Sequence, residues 1–394
     1  MNSNYLGETL YLRNKSDVSI NYTNNIDEVV AIHGHGMHVP AKMDGGPHQK
    51  ILEGAIWSAK YTVNQQASTN WYHAHLKGKT AEHVYKGLAG LIIVEDEKSE
   101  ALDLPKTYGK DDIPLVLQEK NFTDSGQIDY SPSRMEKRHG YQGDFFMANG
   151  VMKAYVNVGA KEIRFRILNG SNSTRYTLAF NKNISFKQIA GDNSFLEKPV
   201  KMNSLNLSPA ERAEIVVDFS DMIGDEIELK DTIQNKTFLK INIKESLLQE
   251  TKTPEKLTTL IKYDRNEAVK TRKFTLDGRR GNLQINGKSM DMMRIDEKIP
   301  LNQLEIWEIT NTMGMDHNFH IHATHFMAIE RNGSENNVPL NEKGYKDVIA
   351  LPPRESVKIL VKMVDYKDEN APYMYHCHYL EHEDLGMMGQ FTVI

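Results

Sequence analysis

Four His-x-His pairs constrain this chain more than any other feature of its sequence. They are His33/His35, His73/His75, His320/His322 and His376/His378, and they fall near the two ends of the 394 residues. On a β-strand, residues two apart point to the same side, so each pair can present two imidazoles to one place. Of fifteen histidines, only His139 lies between residues 84 and 316. The pattern predicts that two outer units converge around a metal site and that the middle unit carries no ligand.

Short runs with period-two alternation, bounded by Gly, Asn and Pro, recur along the chain and predict a mostly β protein. In "ESVKILVKM", alternation puts Val357, Ile359, Val361 and Met363 on one face. Many short strands with turn signals are typical of sandwiches and small barrels. Polar breaks at 95–112 and 244–259 divide the chain into three units.

Composition excludes several classes of function. The net charge is −5 and no long Lys/Arg run occurs, so neither nucleic acid nor an anionic membrane is an expected partner. No apolar run approaches the roughly 20 residues of a membrane span, and the N-terminal residues lack the pattern of a signal peptide. As the chain stands, a soluble cytoplasmic protein is expected.

The one cysteine, Cys377, stands between His376 and His378. Alternation would send its thiol to the face opposite the two imidazoles, where it can bind a different metal. His317, His382 and Met387 complete a set of one thiolate, two imidazoles and a thioether, which is the ligand set of a blue-copper electron-transfer site. A nucleophilic cysteine is the rival interpretation, but it needs one partner histidine rather than ten in ligand spacing.

Four segments, "HGHGMHVPAKMDGGP", "NWYHAHLKGKTAEHVYKGLAGLIIVEDE", "HNFHIH" and "HCHYLEHEDLGMM", resemble the copper signatures of multicopper oxidases, nearest to bacterial laccases and copper-efflux oxidases. The resemblance implies an all-β fold of three cupredoxin-like Greek-key domains, at 1–104, 105–250 and 251–394. It also implies four copper ions. The type 1 copper would take His317, Cys377, His382 and Met387, and the type 2 copper His33 and His320. The type 3 pair would take His35, His73, His75, His322, His376 and His378.

Two acids coincide with family positions that serve proton transfer to dioxygen, Asp44 and Glu383. In the ordinary interpretation, Asp44 is a turn residue before Gly-Gly and Glu383 is a solvated glutamate. The chain departs from the family at Gly34, where a bulky residue is usual. The first domain also resembles one that lacks its usual N-terminal strands. His38, His48, His83, His139 and His325 fit no ligand position and are expected to be ordinary surface or core residues, and Trp71 a core residue.

The resulting hypothesis is an oxidase that takes single electrons from a small reducing substrate and delivers four to dioxygen, making water. Phenols, aromatic amines or Cu(I) are the expected reductants, the last with a role in copper homeostasis. Soft thioethers favour Cu(I), and candidate substrate ligands are Met290, Met292, Met293, Met313 and Met315. The alternatives are a copper-sequestering protein with impaired catalysis and, with less support from the ligand count, a copper nitrite reductase.

Overall fold

Strands are the main regular elements of the structure, a computed structural model that describes residues 5–246, 249–279 and 282–394. The first segment forms β1 (Leu10–Arg13), β2 (Asp17–Thr23), β3 (Ile32–His35), β4 (Ile56–Thr62), β5 (Ser68–Ala74) and β6 (Ala89–Glu95), with helices α1 (Thr80–Tyr85) and α2 (Glu97–Ala101). The middle segment forms β7 (Asp112–Phe122), β8 (Ile128–Asp129), α3 (Arg134–His139), β9 (Phe145–Ala148), β10 (Val151–Met152), β11 (Ala154–Gly159), β12 (Glu162–Asn169), β13 (Tyr176–Phe180), β14 (Phe186–Ala190), β15 (Phe195–Met202), β16 (Leu205–Leu207), β17 (Arg212–Asp218), β18 (Glu226–Asp231) and β19 (Lys236–Lys244).

The third segment completes the molecule. It forms β20 (Lys270–Arg279), β21 (Asn282–Ile285), β22 (Glu297–Ile299), β23 (Leu304–Asn311), β24 (His317–Ile321), β25 (Phe326–Arg331), β26 (Val348–Leu351), β27 (Ser356–Lys362), β28 (Asp368–His376), α4 (Leu380–Asp384) and β29 (Met388–Val393). Single 3₁₀ turns lie at Ala41–Met43, Asn181–Asn183, Arg265–Glu267, Glu335–Asn337 and Leu340–Glu342. The predicted all-β fold class is confirmed.

Each sheet takes all its strands from one of the three predicted segments. The first segment forms a four-stranded sheet, β1-β6-β5-β3, and a two-stranded sheet, β2-β4. The middle segment forms an eight-stranded sheet, in which β10 and β15 are the two edges, and the sheet β11-β19-β18-β13-β16. The third forms β21-β20-β23-β27-β25 and β22-β29-β28-β24-β26. The exact domain boundaries and the shortened start of the first domain stay predictions.

Alternation decides which side chains enter the core. In β27, Val357, Ile359 and Val361 are buried while Lys358 and Lys362 are partly exposed, as the sequence pattern predicts. The buried residues join the apolar core of the third segment, which also contains Cys377 and Met387. The end of β28 and Cys377 directly after it are therefore held by packing on one side, and the other side is left for the histidines.

An apolar cluster joins all three segments. It contains Trp71 and Ala81 from the first segment, Leu168 from the middle one, and Val348 and Leu380 from the third. Burial of apolar surface stabilises such contacts by about 25 cal/mol per Å². The first and third segments are therefore packed together beside the four strand ends that carry histidines. Within the described residues, no helix is both long and apolar enough to cross a membrane.

Candidate metal centre

Two antiparallel strand pairs, one from the first segment and one from the third, bring the eight paired histidines together. His33 on β3 lies opposite His73 on β5, and His320 on β24 lies opposite His376 on β28. The partners two residues along lie on the same strands or within two residues of their ends. All eight imidazoles are 0% exposed, which would be costly for so many polar rings unless they had a shared ligand.

Six of the eight imidazoles form two groups of three. In one group, the Nε2 atoms of His75, His322 and His376 lie 3.1–3.3 Å from one another. In the other, His73 Nε2 lies 3.4 Å from His35 Nδ1 and 3.3 Å from His378 Nε2. The three nitrogen donors of the first group, at this separation, suit a single small metal ion at their centre.

The remaining two imidazoles, those of His33 and His320, complete the cluster. Their rings stack on members of the two groups, His33 on His322 at 3.9 Å and His320 on His35 at 3.8 Å between centroids. Their Nε2 atoms are buried and have no hydrogen-bond partner. An orphaned, buried imidazole nitrogen is expected where a metal belongs, so the donor set fits the copper cluster that the sequence implies.

Each His-x-His pair contributes to two neighbouring positions of the cluster. This arrangement refines the expectation that the two imidazoles of a pair are presented to one place. Ring centroids within the pairs are 5.0–5.8 Å apart, because residues two apart on a strand are separated by about 6.6 Å along the backbone. Two such rings reach adjacent ions more easily than one ion. The type 2 and type 3 assignments of individual residues remain predictions.

Backbone carbonyls fix the tautomer of several ligands. His33 Nδ1 donates a hydrogen bond to the carbonyl of Asp44 (2.7 Å), and His320 Nδ1 donates to that of Asp347 (2.8 Å). His73 Nδ1 donates to the carbonyl of Ala74 at 2.9 Å. With Nδ1 protonated, the Nε2 lone pair is free for a metal, which is how proteins usually orient histidine ligands.

The two predicted acids contact the outer nitrogens of the same ligands. Asp44 Oδ2 lies 2.7 Å from His322 Nδ1, and Glu383 lies 3.4 Å from His75 Nδ1 and 3.2 Å from His376 Nδ1. Both carboxyls are about 1% exposed, and burial raises the pKa of Asp44 and of Glu383 well above the ordinary range. A proton-transfer role for them stays a prediction, but neither is a solvated surface residue.

Sequence analysis missed an aspartate and an arginine beside the cluster. Asp347 Oδ1 accepts a hydrogen bond from His35 Nε2 (3.1 Å), which leaves His35 Nδ1 to face the group. Arg212, from the middle segment, binds both oxygens of Asp347 at 2.6 Å. The middle segment thus supports the site although it supplies no ligand. No spacing rule connects residues 35, 212 and 347, so the sequence offered no signal for them.

The predicted type 1 ligands meet on the other face of β28. Cys377 Sγ lies 3.4 Å from His317 Nδ1 and 3.7 Å from His382 Nδ1, and the two nitrogens are 3.1 Å apart. Met387 is fully buried in the same apolar core as Cys377, and its carbonyl accepts a hydrogen bond from the Cys377 amide. Burial raises the pKa of the Cys377 thiol to about 12, so binding a metal there requires displacement of the thiol proton.

The five candidate substrate methionines separate into different environments. Met290 and Met292 pack with Met374 and Met388. Because Met388 lies directly opposite His376 in the β28–β29 pairing, this group is on the cluster face, away from Cys377. Met293 is 92% exposed. Met313 packs against the core that holds Cys377 and Met387, and Met315 is close in sequence to His317.

The other histidines belong to neither site. His38 and His325 contact each other at 3.2 Å, His48 contacts Gln390, and His83 lies 3.3 Å from Glu28. His139 Nδ1 donates to its own helix at Met135. Trp71 is buried and stacks on His73 with 4.2 Å between centroids. At Gly34, a Cβ would contact Met37 at 3.4 Å, so Met37 occupies part of the space beside it.

Comparison with known proteins agrees with the geometry. Sequence models described as multicopper oxidase match residues 1–99 and 252–394. A multicopper oxidase, mco, of Staphylococcus haemolyticus is 40% identical and covers 100% of this chain and 83% of its own length. The cell division protein FtsP of Sodalis glossinidius is 34% identical, with 100% and 84% covered.

Solved structures show the same similarity. A laccase-like multicopper oxidase, CueO, from Ochrobactrum sp. superposes with a TM-score of 0.92 at 34% identity, and covers 100% of this chain and 91% of its own. These matches extend over the middle segment, where the sequence resemblance is weak. The chain belongs to the multicopper oxidase family.

Proposed function

We propose that the protein couples the one-electron oxidation of a small reductant to the four-electron reduction of dioxygen to water. The observation that carries this proposal is the sequence His376-Cys377-His378, whose thiol faces one metal site while its two imidazoles face the other. A strand thus connects an electron-accepting site to a cluster of eight imidazoles through a few covalent bonds. When bound, copper would supply the redox chemistry at both places.

The chain's own residues hold the coppers and control protons. Four coppers are proposed, one at Cys377 and three among the eight imidazoles. Reduction of dioxygen to water consumes four protons, and the buried carboxyls of Asp44 and Glu383 lie where they can pass protons toward the cluster. The closed, fully buried cluster excludes bulk water, which favours complete reduction.

The relative from Ochrobactrum is described as having oxidase activity towards lignin model compounds and lignosulfonate. We extend that class of reaction to this chain and propose phenols and aromatic amines as substrates. FtsP relatives bear the name of a cell division protein, so family membership alone does not establish oxidase activity. The complete ligand set of this chain is what favours an oxidase over a sequestering protein.

The test is reconstitution of the protein with copper. We expect four coppers per chain, a blue thiolate absorption, one type 2 EPR signal, and an EPR-silent pair. Oxygen uptake with a phenol should consume four donors per dioxygen without releasing peroxide. Full copper loading without oxygen uptake would indicate a sequestering protein. One blue and one type 2 copper per chain, with nitrite reduction, would indicate the nitrite reductase alternative.

Cuprous oxidation is a second candidate function, with a role in copper homeostasis. Met313 and Met315 support it, because their thioethers are soft ligands within four residues of His317. The test compares saturation by Cu(I) and by a phenolic dye in the variant M313L/M315L. The matched control is M290L/M292L, which alters two methionines on the cluster face. A selective rise in the KM for Cu(I) in M313L/M315L supports this candidate, and equal responses in both variants contradict it.

A further inference from the structure

We propose that the short helix α3 and its basic side chains form the surface on which anionic reductants deliver electrons to His382. This inference rests on the proposed oxidase function and names a substrate class for it. It derives from one hydrogen bond, from the way α3 is fixed, and from the charges that α3 exposes.

The hydrogen bond joins the predicted type 1 site to the middle segment. His382 Nδ1 faces Cys377 and His317, so Nε2 is the outer end of the ring. That Nε2 donates to the backbone carbonyl of Arg138 at 3.0 Å. His382 itself is 1% exposed, whereas Arg138 is partly exposed. The last turn of α3 therefore lies between the buried imidazole and the surface.

Both ends of α3 are fixed although none of its side chains is buried. At the start, the Ser133 side chain accepts from the Glu136 amide, and the Glu136 side chain accepts from the Ser133 amide. At the end, Gly140 has φ +95°, and a Cβ there would lie 2.3 Å from Ser173 Cβ. A capping box stabilises the start of a helix, and at its end Gly140 can approach Ser173 closely because it has no Cβ. Helix α3 is therefore held by its ends, which keeps the Arg138 carbonyl at His382.

The exposed charge on α3 is positive in a chain of net charge −5. Arg134, Lys137 and Arg138 make no ion pair within 4.0 Å among the described residues. Glu136, the acid on α3, is used in the capping box. Asp384 on the neighbouring helix α4 accepts from the amides of Thr80 and Ala81, and the charge of Lys137 favours the ionised form of Asp384 without forming an ion pair within 4.0 Å. Helix α3 thus carries three cations without a close acidic partner in the described part of the chain, on the same short helix as the carbonyl that contacts His382.

This arrangement favours anionic donors. In each step the donor loses one electron to the type 1 site, and a phenolic donor also releases its proton to solvent. Local positive charge raises the encounter rate of anions by roughly 10-fold or more at low salt, and it lowers that of cations. Because the Debye length is about 8 Å at physiological ionic strength, the effect should weaken as salt is added.

The first experiment measures anaerobic bleaching of the blue absorption by ferrocyanide, by a neutral phenol and by a phenol bearing a quaternary ammonium group. The test variant is R134E/K137E. The matched control is K198E/K201E, which makes the same charge change on β15, at the opposite edge of the sheet from β9 and β10. We expect the test variant to slow ferrocyanide about 10-fold at low salt, to change the neutral phenol less than 2-fold, and to speed the cationic phenol.

The proposal is overturned by an equal effect in the control or by an unchanged ferrocyanide rate in a milder variant of α3. An equal loss of ferrocyanide rate in K198E/K201E would assign the effect to net charge rather than to α3. Equal slowing of all three donors in R134E/K137E would indicate that the substitutions disturb the helix, and R134Q/K137Q then repeats the comparison with a smaller change of charge. An unchanged ferrocyanide rate in that milder variant also contradicts the proposal.

The second experiment does not depend on catalysis. A redox-inert disulfonated naphthalene should bind copper-free and copper-loaded protein, as measured by calorimetry, and should compete with ferrocyanide. Binding should be lost in R134E/K137E and at high salt, and kept in K198E/K201E. If wild-type protein binds the disulfonate but shows no bleaching or oxygen uptake, the oxidase proposal fails and the anion surface stands. If bleaching occurs and no variant alters disulfonate binding, the surface proposal fails alone.

Discussion

Cys377 connects two sites because of its position directly after β28, between two histidines, rather than through any unusual property of its thiol. His376 and His378 belong to different groups of three imidazoles, and the thiol faces His317 and His382. Because successive side chains point to opposite sides, the Cys377 thiol reaches the electron donor side and the imidazoles of its two neighbours reach the cluster. A single substitution can separate the two functions.

Cys377→Ser should abolish the blue absorption and oxidase turnover, because an alcohol is a poor copper ligand and removes the route for electrons. Copper bound by the eight imidazoles should remain, at about three ions per chain. Metal analysis and EPR measure both effects. His75→Ala is the complementary control, since it removes a cluster ligand and should keep the blue band. A Cys377→Ser protein that stays blue would contradict the ligand assignment.

Asp44→Asn should slow oxygen reduction about 10- to 100-fold, the usual effect of altering a partner of a metal-bound histidine. The amide can still contact His322 Nδ1, so copper content and both spectra should be kept. Asp365→Asn is a suitable control, because Asp365 contacts His38 outside the cluster. Turnover measured over a pH series checks the prediction. A rate equal to that of the wild type at every pH would leave Asp44 with only a structural role.

Spacing along the chain made the ligands predictable, and its absence explains the residues that were missed. A His-x-His pair shows in the sequence that two side chains share a strand face. By contrast, Asp347, Arg212 and the Arg138 carbonyl act on His35 and His382 from distant parts of the chain. A backbone carbonyl has no residue signature at all. The methionines show another limit, since Met290, which precedes His317 in the sequence, packs with Met374 and Met388 on the cluster face rather than beside Cys377.

At the scale of elements, the strands were predictable and the short helices were not. Alternation in β27 identified its buried face correctly because that face packs on a core. Helix α3 has no buried face, so no apolar periodicity marks it. Its signals are a capping box and a glycine, which are local and common. Its importance depends on where the Arg138 carbonyl lies.

Gly140→Ala should lower the Tm by several degrees and shift the blue absorption. Alanine at φ +95° costs about 1 kcal/mol or more, and its Cβ would clash with Ser173. Movement of α3 would then remove the Arg138 carbonyl from His382. Gly126→Ala is the matched control, since Gly126 also has a positive φ but a Cβ there meets nothing within 4 Å. The control should lower the Tm slightly and leave the spectrum unchanged. Equal spectra in both variants would contradict the prediction.

At the scale of the molecule, Arg212 ties the middle segment to the cluster. Its side chain is fully buried, and it binds Asp347, the Thr69 carbonyl and Asn70. Removing one member of a buried ion pair usually costs about 3–5 kcal/mol, because the other charge is left without a partner. The segment without ligands therefore contributes to both stability and ligand geometry.

Arg212→Met should lower the stability of copper-free protein and weaken copper retention at the cluster, because Asp347 would no longer hold His35. The type 1 site lies on the other face of β28, so its blue band should remain. Lys161→Met is a control, since it breaks another buried ion pair of the middle segment, with Asp111. Dialysis against a chelator, followed by metal analysis, checks the effect. Copper loss equal to that of the control would assign Arg212 a purely structural role.

Acidification should destabilise the copper-free protein through its buried histidines. Burial lowers the pKa of His376 and of His382 to about 4, while an unfolded histidine has a pKa of about 6.5. The unfolded chain therefore binds protons first as pH falls, and the stabilisation present above pH 6.5 is lost progressively down to about pH 4. Each such histidine accounts for roughly 3 kcal/mol across that range.

Buried carboxyls act in the opposite direction, so the test must isolate one histidine. The pKa of Glu381 and of Asp384 is raised by burial to about 7, and folding is favoured as these groups become protonated. His382→Gln removes one buried imidazole and keeps a donor for the Arg138 carbonyl. The Tm of copper-free His382→Gln, relative to wild type, should rise as pH falls from 7 to 5. A Tm difference from wild type that is independent of pH would show that protonation of His382 does not limit the stability of the copper-free fold.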